Sequence, residues 1–314
     1  MIIVELFYNM KKRINKTYHD YFTVDGTYTS LLPDRIYLKK LYKKRFGKGL
    51  NLKHPVTYTE KLNWLKLYDR RPEYTTMVDK YAARDFVKKK IEQEGHKCSD
   101  LGLNFVPLLG VWDKVDDVDF ESLPDQFVLK CNHDNGVIIC KDKSNLDIEA
   151  TKKELAFHLN RDYYKKCREW PYKNVKRKII AEKFMENTNG DELVDYKLFC
   201  FNGVPKFVML NSNRFREDGV KTDIYDMCWN HMEMQDGHYP YVGDVFLKPA
   251  ELDNMVLISK ILSEGIPFVR VDFNIWNRKI YMGELTFYHS AGFEKFRPEK
   301  WDDVLGGWIN LPLR

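Results

Sequence analysis

The chain has 314 residues, with 51 Lys and Arg against 46 Asp and Glu, so its formal net charge is +5. Hydrophobic residues make up 44% and charged residues 31%, which is typical of a globular protein and excludes a disordered, collagen-like or disulfide-dense chain. No apolar run approaches the roughly 20 residues that span a bilayer. The six cysteines form no Cys-x-x-Cys pair and no Cys/His metal spacing, so we expect reduced thiols in a cytoplasmic protein.

The N-terminal part, rich in Lys, Tyr and Leu, predicts helices. Thr57-x-x-Glu60 has the pattern of a capping box, in which each side chain accepts from a backbone N–H of the first turn. It predicts a helix that ends before Arg71-Pro72. A second helix is predicted over about 76–93. Its apolar side is predicted to carry Val78, Tyr81, Ala82 and Phe86.

From Phe105 onward the pattern changes to short β runs. Apolar runs at 127–130 and 137–140 flank the polar loop 132–136 and predict a strand, a turn and a strand. A helix over about 147–166 and a strand at 178–181 follow. The helix stripe is predicted to be Ile148, Leu155, Leu159 and Tyr163. Helices first, then strands with interspersed helices and no regular βαβ alternation, predict an α+β fold.

Two hairpins are predicted in the C-terminal half. Asn202-Gly203 separates two alternating apolar runs, 194–201 and 204–210, which is the sequence of a two-residue type I′ turn. A helix at about 250–264 precedes a second hairpin, in which 268–274 pairs with 279–287.

The second hairpin brings two carboxylates together. If its turn centres on Arg278, the register pairs Val271 with Leu285, Phe273 with Gly283, Arg270 with Thr286 and Asp272 with Glu284. Two ionised carboxylates about 5 Å apart repel by about 3 kcal/mol at an effective dielectric constant near 20, so they must share a proton or a cation. With oxygen ligands alone the cation would be Mg²⁺. Alternatively both acids lie on a solvated face, each beside a Lys or Arg.

Other charged positions each allow two interpretations. Lys130 ends an apolar strand before a polar loop, where it could contact a phosphate or extend into water. Asp195 and Lys197 share a strand face with two Phe, which indicates a binding site or an internal ion pair. Glu182 ends a β run and could accept from a base or ribose, or lie at the surface.

Arginine and aromatic residues cluster at 70–71, 168–172 and 214–216. Such mixtures suit a ligand with sugar rings and carboxylate or diphosphate groups, because stacking and bidentate pairing act together. They are equally typical of a solvated surface. The small net charge and the absence of a recognition motif argue against a nucleic-acid partner.

In chain order these residues resemble the TupA-like branch of the ATP-grasp superfamily, which is associated with teichuronopeptide and other surface-polysaccharide synthesis. The helical segment KLNWLKLYDRRP is similar to that branch as well. The motifs that carry the resemblance are DKYAAR, LPDQFVLKCNHDNG, REWPY, IIAEKFME, DYKLFCFNG, FVRVDF and GELTF followed by a Ser-x-Gly turn. The resemblance implies two α+β subdomains that grip ATP, 79–183 with a phosphate loop and 184–314 with a metal-binding hairpin, after a helical N-terminal extension, 1–78.

The resemblance also implies roles for single residues. Lys130, with Lys80 as a second lysine, would contact the ATP phosphates, and Glu182 with the following backbone would read adenine. The full set of nucleotide-binding residues would be Lys80, Lys130, Asn132, Gly136, Glu182, Lys183, Phe184, Met185 and Glu186. The Mg²⁺ ligands would be Asp272, Glu284 and Thr286, and the catalytic residues would be Arg270, Lys197 and Arg214.

The sequence departs from the usual ATP-grasp pattern at three points. Thr286 stands where most of these enzymes have a metal-binding Asn. The turn after it, HSAG, lacks the usual proline, and the phosphate loop has a single glycine.

The activity that the resemblance implies is an ATP-dependent carboxylate–amine ligase, which forms an amide through an acyl phosphate with ATP and Mg²⁺ and releases ADP and phosphate. The carboxylate would belong to a uronic-acid sugar nucleotide or glycan and the amine to an amino acid such as glutamate, in capsule or O-antigen synthesis. The alternatives are a ligase for a peptide or small metabolite and a non-catalytic nucleotide-binding protein. We expect no nucleic-acid partner and no membrane span; the oligomeric state stays open, a homodimer included.

Overall fold

The structure, a computed structural model, describes residues 23–24, 27–28, 32–185, 194–212, 219–237 and 246–313. Its helices are α1 (Asp34–Phe46), α2 (Tyr58–Tyr68), α3 (Glu73–Val78), α4 (Ala83–Gln93), α5 (Ile148–Asn160), α6 (Tyr164–Cys167), α7 (Leu252–Ser263) and α8 (Lys300–Trp308). Its strands are β1 (Thr23–Val24), β2 (Thr27–Tyr28), β3 (Leu103–Asn104), β4 (Leu108–Trp112), β5 (Phe127–Cys131), β6 (Val137–Cys140), β7 (Ile179–Lys183), β8 (Asp195–Phe201), β9 (Val204–Ser212), β10 (Lys221–Asp226), β11 (Phe268–Trp276) and β12 (Lys279–Thr286). The α+β class is confirmed. None of the described helices is long and apolar enough to cross a membrane.

Two sheets form the body of the molecule. The larger has the strand order β10-β9-β8-β11-β12-β3 and the smaller the order β4-β7-β5-β6. Neighbouring strands are antiparallel in both, except that β3 runs parallel to β12. All six cysteines are free thiols, as expected.

Each sheet has its own hydrophobic core. The smaller sheet packs with α5 in a cluster of buried residues between Val118 and Ala181. The larger sheet shares one core with α1 to α4, α7 and α8. Helix α4, which the predicted division places in the phosphate-loop subdomain, therefore packs in the larger core through Val87 and Ile91.

The predicted start of α2 is confirmed. The Thr57 side chain accepts from the Glu60 backbone N–H at 3.3 Å, and the Glu60 carboxylate accepts from the Thr57 N–H at 3.3 Å. The helix ends at Tyr68, before Arg71-Pro72.

The predicted helix over 76–93 is wrong in extent, because the chain breaks between α3 and α4. Asp79 is extended there, and its side chain accepts from the Tyr81 N–H at 2.8 Å and from the Asn132 amide at 2.8 Å. A side-chain acceptor of this kind competes with the helical hydrogen bonds. The break turns Tyr81 outward to 38% exposure. The predicted apolar side is therefore only partly right, since Val78 is buried and Phe86 packs against the larger core. The buried side of α4 is Ala83, Val87 and Ile91.

The predicted helix over 147–166 is likewise two helices, α5 and α6. The chain is extended at Arg161, whose guanidinium donates to Asp134 at 3.2 Å. The predicted stripe is partly wrong, since Leu155 is buried but Ile148 is 41% exposed.

The first predicted hairpin is confirmed, and the second differs by a bulge. Asn202 and Gly203 have φ of 50° and 82°, as a type I′ turn requires. In the second hairpin Val271 pairs with Leu285, but Phe273 pairs with Met282 rather than with Gly283. Two residues of β12 therefore lie opposite one residue of β11, which is a β-bulge.

The packing of α8 on α2 generates a test of the fold. A Cβ at Gly306 would lie 2.2 Å from the Val56 carbonyl oxygen, whereas one at Gly307 would meet nothing within 4 Å. We expect Gly306→Ala to lower the free energy of unfolding by about 1–3 kcal/mol because of overpacking. The matched control Gly307→Ala should leave it unchanged or raise it by up to about 1 kcal/mol. Urea unfolding measures both, and equal effects would contradict the packing.

Candidate functional site

Two cavities meet between the sheets. The smaller, of about 360 Å³, lies against β5, β6 and β7. The larger, of about 610 Å³, lies against β11, β12 and the turn at 288–293. Both are lined by one group of residues, which we call the junction: Lys80, Lys130, Val137, Asp195, Asn274, Gly283 and Glu284. A ligand could therefore extend from one cavity into the other.

The smaller cavity is an apolar slot with charged residues at its side. Val137 and Ile139 of β6 expose 49% and 37% of their surface and line the slot together with Met282 and Phe184. Concave sites with apolar walls and a few placed polar groups are typical of small-molecule binding. The dimensions and walls suit a planar base.

Lys130 and Glu182 pair across the wall of this slot. The Lys130 Nζ lies 2.6 Å from the Glu182 Oε2, and the Arg84 Nη1 lies 3.2 Å from the Glu182 Oε1. Lys130 therefore neither extends into water nor stands alone. Arg84 was not singled out from the sequence, although it ends the DKYAAR motif.

Lys80 places a second cation at the junction. Its Nζ donates to the Asp134 backbone carbonyl at 2.7 Å, and the nearest carboxylate oxygen, in Glu284, is 4.0 Å away. Burial lowers the pKa of Lys80, and the neighbouring charge of Lys130 lowers it further, although Glu284 opposes both effects. A polyanion at the junction would relieve this electrostatic cost.

The loop after β5 is held by buried polar contacts. The Asn132 amide donates to Asp79 and to the Lys176 carbonyl, and its oxygen accepts from the Lys178 N–H. These bonds use the amide nitrogen and the oxygen of a fully buried side chain, so Asn132 holds the loop in place. Gly136 lies against His158, since a Cβ there would be 2.3 Å from the ring.

Asp134 anchors the same loop to α5. It accepts from the His158 Nδ1 at 2.7 Å and from the Arg161 Nη1 at 3.2 Å. Burial alone would raise the pKa of Asp134, but the His158 hydrogen bond and the Arg161 charge bring it below its usual value. The loop is thus fixed by an ionised, buried carboxylate.

The predicted pair of acids lies on one face of the second hairpin. Arg270 makes a bidentate contact with Asp272, with both distances 2.6 Å, and its Nη2 lies 3.3 Å from the Glu284 Oε1. Lys197 of β8 donates to Asp272 at 2.9 Å, and its Nζ lies 3.8 Å from the Asp195 Oδ2. The predicted pair of Asp195 with Lys197 is therefore present, but Lys197 lies closer to Asp272. We call Arg270, Asp272, Lys197 and Glu284 the hairpin cluster. Two carboxylates and two cations make it neutral overall.

The hairpin cluster is an ionised network. Burial alone would raise the pKa of Asp272, but Arg270 and Lys197 lower it to about 2. Burial also disfavours the charged form of Arg270 and so lowers its pKa. The Asp272 charge outweighs this effect and raises the pKa of Arg270 above its usual value. The Thr286 hydroxyl completes the contacts, since it accepts from Arg270 and donates to Glu284, each at 3.2 Å.

Glu284 has a carboxylate oxygen that faces the cavity. Its Oε1 is bound by Arg270 and Thr286, whereas its Oε2 has, in the described part of the chain, only Lys80 at 4.0 Å. The side chain is 39% exposed. Oxygen donors in this setting fit Mg²⁺, which binds one or two carboxylates together with substrate phosphates.

Behind the hairpin cluster lies His289, in the turn that follows β12. Arg270 Nη1 donates to the His289 Nδ1 at 2.7 Å, so the proton of the neutral imidazole is on Nε2. That nitrogen faces Glu294 at 3.5 Å and Asp236 at 3.8 Å. These three residues could hold a metal ion by geometry, but a ring that accepts from arginine at Nδ1 has no lone pair left on Nε2. His289 therefore orients Arg270.

A buried lysine of α2 fixes the turn that carries His289. Lys66 donates to the Cys167 carbonyl at 3.0 Å and to the Ala291 carbonyl at 2.5 Å. Burial lowers its pKa to about 8. Ser290 and Ala291 have φ of 47° and 52°, a left-handed conformation that needs support from its surroundings.

The arginines of the predicted clusters at 70–71 and 168–172 are structural, whereas Tyr172 of the second cluster lines the larger cavity. Arg168 is 2% exposed, stacks on Tyr37 with its guanidinium carbon 4.2 Å from the ring centroid, and pairs with Asp34. Arg70 and Arg71 also have carboxylate partners. The cluster at 214–216 lies outside the described residues.

A comparison with protein families matches residues 60–310 to the family described as TupA-like ATPgrasp. The chain belongs to the TupA-like ATP-grasp family. The match confirms the family predicted from the motifs. A search among curated proteins found no match.

Solved structures similar to the chain are ATP-grasp enzymes. D-alanine–D-alanine ligase from Bacillus anthracis complexed with ATP is 17% identical with a TM-score of 0.36, covering 68% of this chain and 54% of that one. The Helicobacter pylori ligase is 13% identical with a TM-score of 0.41, covering 80% and 69%. The ATP-grasp ligase PsnB complexed with minimal precursor, Mg and ADP is 12% identical with a TM-score of 0.36, covering 73% and 57%. The chain thus spans about half the length of the first, and the assignment depends on the family match.

The predicted site residues of this ATP-grasp chain gather in the two cavities. The smaller is lined by Lys80, Lys130, Glu182, Lys183, Phe184 and Met185. The larger is lined by Lys197, Arg270, Asp272, Glu284 and Thr286. Asn132 and Gly136 support the loop from outside both linings. Glu186 and Arg214 lie outside the described residues.

Asp272→Asn tests the charge balance of the hairpin cluster. It leaves Arg270 and Lys197 buried with one carboxylate fewer, so we expect the free energy of unfolding at pH 7 to fall by about 3–5 kcal/mol. Because the pKa of Asp272 is lowered, its contribution is complete above the pKa of the unfolded carboxyl, about 4, and is lost as the pH falls towards 2. Urea unfolding should give a constant difference from pH 5 to 8 that narrows below pH 4.

The control is Asp253→Asn, whose side chain is 90% exposed and which should change stability very little. A loss below about 1 kcal/mol for Asp272→Asn, or a difference independent of pH down to 2, would contradict the network.

Proposed function

We propose that this chain is an ATP-dependent carboxylate–amine ligase that forms an amide through an acyl phosphate. One observation carries the proposal: Lys80 and Lys130 stand where an apolar, base-sized slot opens into a larger cavity that contains the carboxylates Asp272 and Glu284. That order matches the order of groups in a nucleoside triphosphate with its metal ion. Membership of the ATP-grasp family supports it.

ATP would bind with its base in the slot and its phosphates at the junction. The slot walls supply apolar contacts, and Glu182 with the backbone of 183–185 would bind the base edge. Lys80 and Lys130 would contact the phosphate oxygens as point charges. The ion pair of Lys130 with Glu182 holds that lysine at the border of the two cavities before ATP arrives.

Mg²⁺ would be held by Asp272 and Glu284, with the Thr286 hydroxyl as a neutral oxygen donor. Bound there, it would neutralise phosphate charge and stabilise the transferring group. Because the hairpin cluster is neutral overall, it has little attraction for a free dication. The nucleotide's own negative charge would supply that attraction, so the ion and ATP should bind together.

The chemistry then requires positioning more than a protein nucleophile. A substrate carboxylate in the larger cavity attacks the γ-phosphorus. The bond from that phosphorus to the oxygen bridging the β- and γ-phosphates breaks, and ADP leaves with this oxygen. Arg270 and Lys197 on the cavity wall would stabilise the charge of the transferring phosphoryl group. An amine then attacks the acyl carbon and phosphate leaves. Water must be excluded while the acyl phosphate exists.

We propose a uronic acid on a sugar nucleotide or glycan as the carboxylate substrate and an amino acid such as glutamate as the amine. The larger cavity has aromatic walls, Tyr163, Tyr172 and Tyr288, and Arg45 lies on its lining. Aromatic faces stack on sugar rings, and guanidinium groups pair with phosphate. The proposed setting is surface-polysaccharide synthesis.

The experiment supplies Mg²⁺, ATP, UDP-glucuronic acid and L-glutamate, and measures ADP, phosphate and the mass of the product. We expect ADP and phosphate in equal amounts, dependent on Mg²⁺ and on the carboxylate. Formation of AMP, or ADP formation indifferent to every carboxylate tried, would contradict the ligase proposal. Turnover with peptides or small metabolites in place of the uronic acid would correct the substrate alone.

Glu284→Gln should abolish turnover while it leaves the fold intact. The change removes a charged oxygen from the proposed metal site, but Glu284 is half-exposed and Asp272 still balances Arg270. ADP release should fall at least about 100-fold with the unfolding midpoint little changed. Glu299→Gln, at a side chain 92% exposed, is the control; loss of the folded state together with activity would indicate a structural role instead.

Lys130→Met should weaken nucleotide binding. A charge-assisted contact contributes about 1.5–3 kcal/mol, so the Kd for the magnesium complex of a non-hydrolysable ATP analogue should rise about 10- to 150-fold. Glu182 keeps Arg84 as a partner, so the variant should fold. Calorimetric titration measures the Kd, and an unchanged Kd would show that Lys130 does not contact the phosphates.

A further inference from the structure

Glu169 is a buried carboxylate that the proposed function does not use. It precedes the short helical turn Trp170–Asn174 and lines the larger cavity but not the smaller one. Its exposure is 7%. Among the residues that the structure describes, no hydrogen-bond donor or cation lies within bonding distance of its side chain. A buried carboxylate without a donor is costly, so this arrangement needs an explanation.

Charged groups from several elements act on Glu169 over longer distances. Burial, the largest effect, raises its pKa to about 7; Lys66 and Lys166 lower it, Glu284 raises it and Arg270 lowers it. The Tyr172 hydroxyl, on the same turn, is a neutral neighbour in the cavity at neutral pH, because its own pKa is raised by burial. Glu169 is therefore within electrostatic reach of the hairpin cluster while it stands apart from it.

We propose that Glu169 binds the ammonium group of the amine substrate and accepts its proton before the amine attacks the acyl phosphate. The inference rests on the proposed ligase function and assigns the amine subsite to this side of the larger cavity. An ionised carboxylate accepts only, and a primary ammonium offers three donors and a positive charge. Such a ligand would remove the cost of burying Glu169.

The position favours the amine over the other substrate groups. Anionic groups, the phosphates and the carboxylate to be activated, are attracted to Lys80 and Lys130 at the junction, which does not include Glu169. An ammonium is repelled by those cations and attracted by Glu169. The two substrates would thus be sorted by charge within one cavity.

The proton transfer balances. The ammonium gives one proton to the Glu169 carboxylate, and the lone pair released on nitrogen forms the new C–N bond with the acyl carbon. The bond from that carbon to the phosphate oxygen breaks, and phosphate leaves with the electron pair. The second proton on nitrogen goes to the departing phosphate, and Glu169 returns its proton to water.

A pKa near 7 suits this role, since a base is most effective when its pKa is close to the working pH. The carboxylate form increases as the pH rises through 7. The rate of amide formation should therefore rise over that interval, with Lys66, Lys166, Glu284 and Arg270 setting the midpoint through their charges.

The experiment compares two nucleophiles in the presence of Mg²⁺, ATP and a panel of uronic acids and their sugar nucleotides. Hydroxylamine is largely uncharged at pH 7.5 and traps an acyl phosphate as a hydroxamate without help from a base. The twenty standard amino acids carry an ammonium group and need a base to remove its proton. The variants are Glu169→Gln, Glu169→Asp and the control Glu149→Gln, whose side chain is 76% exposed.

We expect Glu169→Gln to lower amide formation about 100-fold or more, to remove the rise near pH 7, and to leave hydroxamate formation within about threefold. Glu169→Asp should restore part of the amide rate, and Glu149→Gln should match the unaltered chain. An equal fall of both products, or no fall of either, would overturn the role of Glu169. Hydroxamate without amide from any amino acid would overturn the ammonium subsite but not carboxylate activation. No hydroxamate from any uronic acid would instead count against the proposed function.

Discussion

The buried pair of Arg270 with Asp272 constrains most of the site. Charges removed from water are tolerated only when each has close, well-oriented partners, and the partners of Arg270 lie on three segments of the chain. It contacts Asp272 on its own strand, Glu284 and Thr286 on β12, and His289 in the following turn, while Lys197 of β8 completes Asp272. The bulge at Gly283 fits the same arrangement, because a side chain there would press on the Asp272 backbone.

The N-terminal helices belong to this site as much as the sheets do. Lys66 of α2 holds the left-handed turn that carries His289, and helix α8 packs on the start of α2 through Gly306. The same helices share the larger core with β8, β11 and β12.

The distribution of charge divides the larger cavity into regions with different chemistry. The junction carries Lys80 and Lys130, the hairpin cluster is neutral overall, and Glu169 lines the larger cavity without a hydrogen-bond donor among the residues that the structure describes. Because its charges balance, the hairpin cluster keeps Asp272 and Glu284 ionised but attracts a free dication only weakly. The negative charge of the nucleotide would supply the attraction that binds the metal ion. Glu169 lies outside the junction, where Lys80 and Lys130 would bind the phosphates, so it gives the proposed amine a place that the phosphates do not occupy.

Local patterns in the sequence determined the parts of this protein that depend on neighbouring residues: the capping box at Thr57, the type I′ turn at Asn202, the alternation that puts Asp272 and Glu284 on one face, and the ordered motifs of the family. The cap, the turn and the alternation each act over two to four residues, so contacts with distant segments left them unchanged. Packing of distant segments decided the rest. Asp79 interrupts a helix and accepts from Asn132, Lys130 pairs with Glu182, and Glu169 is buried without a hydrogen-bond donor among the described residues. Burial and the balance of charge depend on which remote residues the fold brings together.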